Sequence, residues 1–480
     1  MSSCFWATFL FFGPCASFVL AAGEPARLEP YEFENSQGEK VDAEWGTFEV
    51  PLKHDETNGE TITLTFVRFK STNPEPGHPI VYLAGGPGGS GIGTAKGRRF
   101  PLFMALRQVA DVIAFDQRGT GASNIIPPCT EDQFPIDRPL VLEEALAFEK
   151  RNAEKCRELW REKGVDLSPY NTWESAADLD DLRSALGAEK LNLWGISYGT
   201  HLAFAAMKRM GGRIDRGVLA SSEGPDHTVK LPAWSDAYFH RVEQVLLADP
   251  EAREKYPDFI SAMRRVLEKL EKEPVKVTLN MGEGKEPLTL TIGKEPIQLL
   301  TSFFLVKNPS NVKSLPAIYK ELDEGRFERV ATAFYQHLLS RPGTNSGMPQ
   351  AMDAASGISP ARMALFKIQA ERALIGGMLN YPFPYLFDSA GVPDLGEGFR
   401  ENVRTSIPTL FLNGTLDGRT FPEETWELMR GFENGMQIIV ENAGHDLFMS
   451  SPEVGEAVVR FFKGEGVKKT LIHIPPPKFD

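Results

Sequence analysis

The chain has 480 residues, 42% of them hydrophobic and 24% charged, and a formal net charge of −13. That length suits two domains or one large α/β domain with an insertion, and the composition is that of a globular protein. A chain this acidic is repelled by a phosphate backbone, which excludes a general nucleic-acid binder.

The first 22 residues carry no charged side chain, and the run FWATFLFFGPCASFVLAA (5–22) is almost wholly apolar. Small residues at Ala21, Ala22 and Gly23 suit a signal-peptidase cut, so 1–22 reads as an export signal. The same run is long enough for an uncleaved anchor, which would be the one membrane attachment expected. Pro14 directly before Cys15 argues against a lipid-attachment cysteine. Beyond the signal, two cysteines remain, Cys129 and Cys156. They read either as one disulfide, as an oxidising compartment would permit, or as two buried free thiols. Two cysteines without an HExxH-type helix make no thiolate metal site, and neither a metal nor a cofactor is expected.

Downstream, residues 45–70 alternate apolar and polar around a central loop, a hairpin pattern that would start a sheet with antiparallel strands. Apolar strands follow at 79–86, 111–117, 190–197 and 217–222, with helical patterns between several of them. In one, WESAADLDDLRSALG, Asn171 and Glu174 stand as N-cap and N3, and Gly187 as the stop. Strand, helix, strand in this order implies parallel strands with right-handed crossovers. From about Pro225 to Asn402 helical patterns dominate, notably 249–273 and 315–341. Strands return at 406–414 and 435–443, before a helix capped by Ser451 and Pro452 and the odd tail IPPPKFD.

The chemistry centres on Gly195-Ile196-Ser197-Tyr198-Gly199, a G-x-S-x-G turn between a strand and a helix. A serine is a weak nucleophile unless a base, an orienting group and oxyanion donors surround it. GGPGGSG (85–91) follows a strand and lacks the Lys-Ser/Thr of a phosphate loop. It reads as an oxyanion loop, with the Gly86 N–H acting beside the Tyr198 N–H. Asp417, in NGTLDG, and His445, in NAGHD, each lie just past a strand. Their order Ser…Asp…His is that of an α/β-hydrolase, not of the chymotrypsin or subtilisin types. Asp446 is badly placed to hold the ring of its own neighbour and reads as a loop or cap residue. In DQRGTGAS, Asp116 and Arg118 read as ion-pair and turn residues.

In that order, GGPGGSG, DQRGTGAS, WGISYGT, NGTLD and AGH resemble the proline iminopeptidase and tripeptidyl aminopeptidase branch of the α/β-hydrolase superfamily. The resemblance covers about residues 45–225 and 400–465. It implies an α/β-hydrolase fold, a mostly parallel sheet flanked by helices, with a mainly helical cap. The core would span 23–224 and 403–480, and the cap 225–402. The resemblance also implies export and a Cys129–Cys156 disulfide. Two departures stand out. Ala84 replaces the histidine of the iminopeptidase HGGPG motif, and Met352 stands beside Asp353 where tripeptidyl-type relatives often add a cysteine.

The expected function is an exported serine hydrolase that releases residues or short peptides from peptide N-termini through Ser197, His445 and Asp417. The alternative is a carboxylic-ester hydrolase using the same residues; a non-catalytic scaffold would not need the full set. An aminopeptidase must bind an α-ammonium, usually with carboxylates. Glu223 and Asp353 are the candidates, with Asp226 behind them. Short peptides or small esters are the expected substrates.

Overall fold

The computed structural model describes residues 24–480 apart from 57, 136–139, 306–308 and 341–342, so the expected signal over 1–22 lies outside the described residues. The main sheet has ten strands: β1 (Arg27–Glu34), β2 (Lys40–Pro51), β3 (Thr61–Phe69), β4 (Ile80–Leu83), β5 (Val112–Asp116), β6 (Leu191–Ser197), β7 (Ile214–Ser222), β8 (Thr409–Gly414), β9 (Gly435–Glu441) and β10 (Leu471–His473). Their spatial order is β1-β2-β3-β5-β4-β6-β7-β8-β9-β10. The pairs β1/β2, β2/β3 and β3/β5 are antiparallel. From β5 to β10 every pair is parallel.

The central strands IVYL, VIAFD, LNLWGIS and TLFLNG are buried at every residue, as strands covered on both faces must be. One face packs Leu179, Leu182, Leu202 and Phe204. The opposite face packs Phe103, Leu106, Trp194, Val458 and Phe461. The first face is covered by α1 (Leu142–Glu162), α2 (Thr172–Ala185) and α3 (Tyr198–Met210). Asn171 caps α2, its side chain accepting from the Glu174 N–H at 3.0 Å.

Between β7 and β8 the chain is mostly helical and has an apolar cluster of its own, including Tyr238, Phe259, Leu267, Tyr319 and Phe334. It differs from the sequence reading in three places. The helix expected over 249–273 breaks at Tyr256, since a residue before proline is pushed out of the α region. The one expected over 315–341 breaks at Gly325, which takes φ +85°. An antiparallel hairpin, Val275–Leu279 with Leu288–Ile292, interrupts the helices. This segment includes α4 (Met348–Ser356); α5 (Pro452–Phe462) follows β9 and closes the chain's last crossover.

Cys129 and Cys156 form a disulfide, with Cα atoms 5.5 Å apart, that ties the loop after β5 to α1. Arg118 is fully buried, and its ion-pair partner is Asp178 of α2, at 2.6 Å, with three carbonyls around it. Asp116 instead accepts from the Ser90 hydroxyl and from the Ile92 and Ala122 amides. After β10 the tail crosses to the helical segment. Phe479 packs against its apolar cluster, and Lys313 Nζ lies 3.1 Å from Asp480 Oδ1.

Candidate active site

Ser197 ends β6 at φ +54°, ψ −129°, a backbone conformation that side-chain-bearing residues avoid. The flanking glycines make the turn possible. A Cβ at Gly195 would lie 2.8 Å from the Gly199 carbonyl oxygen, and one at Gly199 only 2.0 Å from that of Leu83. The Thr200 hydroxyl donates to the Ser197 carbonyl and accepts from the Glu223 N–H, both at 2.7 Å. It thereby stitches the turn to the end of β7. Tyr198 is the first residue of α3, so its N–H belongs to the unpaired donors of a helix start.

The glycine loop lies against this turn. A Cβ at Gly85 would meet the Ser197 Cβ at 3.0 Å and its hydroxyl at 3.7 Å. Gly86 follows at φ +130°, and the Gly89 N–H closes the loop on the Gly85 carbonyl at 3.0 Å. Gly88 faces Pro349 of α4, where a Cβ would approach to 2.8 Å. On the same helix, Met352 Sδ lies 3.1 Å from the Tyr198 hydroxyl. The α4 helix therefore touches both the loop and the turn.

The His445 Nδ1–H points to both oxygens of Asp417, each at 3.1 Å. Asp417 is fully buried and also accepts from the Thr420 hydroxyl and from the Arg419 and Thr420 amides. Burial alone would raise its carboxyl, but His445 and these donors together hold it below the usual carboxylate range. Among the described residues no hydrogen bond joins Ser197 to His445, a link that often tightens only when substrate is bound. Asp446 turns the other way and is held by Arg98 and Arg99 at 2.8 and 2.5 Å.

The three candidate ammonium acceptors differ. Glu223 is buried and forms an ion pair with the equally buried Lys230 at 2.5 Å. Burial pushes its carboxyl up, but Lys230 and His201 outweigh this and hold it low. Asp226 is bound by the Ser359 amide and hydroxyl, at 2.8 and 2.5 Å. Asp353 is half-buried, and its carboxylate has no hydrogen bond or ion pair among the described residues. Burial and the nearby Glu223 push it up to about 7. The sequence reading missed Lys230, Thr200 and Thr420. Only Lys230 leaves a trace in the sequence, a lone cation seven residues after Glu223.

A parallel sheet whose strand–Ser–helix turn sits under a glycine loop, with an Asp–His pair past later strands, defines an α/β-hydrolase. Residues 78–275 match the family model for the alpha/beta hydrolase fold, and 392–470 the one described as TAP-like protein. Serine protease Hip1 of Mycobacterium tuberculosis is 29% identical over 218 residues, 42% of this chain and 41% of that protein. Tripeptidyl aminopeptidase of Streptomyces coelicolor is 33% identical over 172 residues, 33% of this chain and 31% of that protein. The matched part thus spans less than half the length of either relative. The chain has the α/β-hydrolase fold, and two separate parts of it match the alpha/beta hydrolase and TAP-like family models.

Proposed function

We propose that the protein is an exported serine hydrolase acting as an aminopeptidase on short peptides. The observation that carries the reading is Ser197, held at positive φ under the glycine loop, with Asp417–His445 formed past the later strands. Ser197 Oγ attacks the scissile carbonyl while His445 Nε2 takes its proton, and the acyl-enzyme forms. Asp417 keeps the Nδ1 proton in place and stabilises the imidazolium. The Gly86 and Tyr198 amides receive the oxyanion. His445 then returns the proton to the leaving amine, and water completes the cycle. Helix α4 and its neighbours between β7 and β8 act as a cap that shapes the pocket. Export is supported by the apolar leader and the disulfide.

For the substrate's α-ammonium, Asp353 is the acceptor we favour, because its carboxylate has no hydrogen bond or ion pair among the described residues while Glu223 is neutralised by Lys230. That neutralisation also supports the second reading, an ester hydrolase, since it lowers the negative charge available to a cationic N-terminus. Purified enzyme given N-terminally free peptide amides, their N-blocked forms and simple esters separates the two. Equal cleavage of free and blocked peptides, or cleavage of esters alone, removes the aminopeptidase reading. Turnover retained in Ser197→Ala removes the mechanism altogether.

A further inference from the structure

We propose that Ser221 is a positioning residue for His445, turned to that task by a bulge in β7. The inference rests on the reading of Ser197 and His445 as nucleophile and base. Along β6 and β7, Ile196 pairs with Ala220, but the next residue, Ser197, pairs with Ser222. Ser221 is therefore the extra, unpaired residue of a β-bulge opposite the step from Ile196 to Ser197. Such bulges bend a strand and re-aim one side chain.

The backbone of Ser221 supports this. It takes φ +51°, close to the +54° of Ser197, so a serine in a disfavoured conformation is the last residue of β6 and the last but one of β7. Glycine would occupy such a position at no steric cost. A side chain is present instead, fully buried, and its hydroxyl donates to the His445 carbonyl at 2.8 Å. A buried hydroxyl at a strained position needs a partner, and this one reaches 224 residues along the chain to find it.

The bond has a geometric consequence. Asp417, three residues past β8, fixes the His445 ring, and Arg98 with Arg99, downstream of the glycine loop in sequence, anchors the next residue, Asp446. Ser221 fixes the His445 main chain from the strand that pairs with Ser197 itself. It therefore sets the distance between base and nucleophile and has no role in binding substrate. Loss of that hydroxyl should lower kcat and leave KM alone, since misplacement of a base by about 1 Å costs on the order of 100-fold.

The test compares the wild-type enzyme with Ser221→Gly, which relieves the backbone and deletes the hydroxyl, and Ser221→Cys, which keeps the shape with a weak donor. Melting temperature, kcat and KM are measured on the same cleaved substrate, with fluorophosphonate labelling of Ser197 alongside. The expected result is a melting temperature within a few degrees of wild type, KM within about twofold and kcat down roughly 10- to 100-fold, with Cys less affected than Gly. If either folded variant keeps wild-type kcat, or loses activity through KM alone, the positioning role is overturned. Failure of the wild-type enzyme to label at Ser197 is a separate outcome, which overturns the nucleophile assignment and this inference with it.

Discussion

Lys230 Nζ lies 2.5 Å from Glu223 Oε2, with both side chains buried, and Asn380 holds the Lys230 main chain through two hydrogen bonds. The carboxylate that follows β7 is thus neutralised from within the protein. Lys230→Met should leave Glu223 as a buried unpaired charge and destabilise the fold by about 3–5 kcal/mol. Lys230→Met combined with Glu223→Leu should recover most of that loss. Urea unfolding of the two variants decides it: equal stability would mean the pair is not what the lysine is for.

Replacing Asp353 should bring a stability gain with a functional cost. Its folded pKa is raised to about 7, so the carboxyl favours its neutral form, and that contribution is lost as pH rises through 7. Asp353→Asn should therefore stabilise the protein at pH 8 by about 1–2 kcal/mol, discounted for partial exposure, and by less at pH 5. The same variant should raise KM for peptides with a free N-terminus and leave esters unaffected. Thermal melts at both pH values, paired with KM for each substrate class, would reveal an unchanged Tm or an equal KM effect if the assignment is wrong.

His54 carries a pH dependence of the same sign, but here it is removal of the group that costs stability. Burial lowers its pKa, but Glu174 at 2.5 Å and Asp181 at 2.9 Å, with Asp178 nearby, lift it to about 9. A histidine raised in the fold stabilises fully below its unfolded pKa of about 6.5 and loses the effect as pH climbs through 9. His54→Gln should cost about 2–3 kcal/mol at pH 6 and little at pH 10. Melting curves that run parallel from pH 6 to pH 10 for both proteins would contradict this.

Gly199→Ala tests the turn itself. The new methyl would sit 2.0 Å from the Leu83 carbonyl, a backbone atom with no room to yield. A loss of about 3 kcal/mol or more and abolished labelling of Ser197 are expected. A soluble, fully active Gly199→Ala protein would show the crossing to be looser than its geometry.

These contrasts explain what the sequence discloses. A strand–turn–helix crossing this tight leaves no room for a side chain at 195 or 199, so the glycines are legible as a pattern. The parallel strands are legible because complete burial demands continuous apolar runs such as LNLW. The partner of Arg118 is not, because Asp178 approaches from a helix 60 residues away. Nor is the bulge at Ser221, since register belongs to two strands jointly and SSE alone encodes neither. The hairpin at 275–292 is obscured because its strands expose one face and alternate with lysines and threonines inside a helical stretch.

One short segment belongs to two cores at once. Residues 471–473 pair in the main sheet, while Phe479, six residues on, packs among the helices that lie between β7 and β8. The intervening Ile474–Lys478 carries three consecutive prolines, a stiff extended link with little slack. A protease that cut this link would sever a tether without opening either apolar cluster. Nicked protein should keep its melting transition yet let the helical layer swing more freely over Ser197, which makes limited proteolysis a direct gauge of how far that layer governs access.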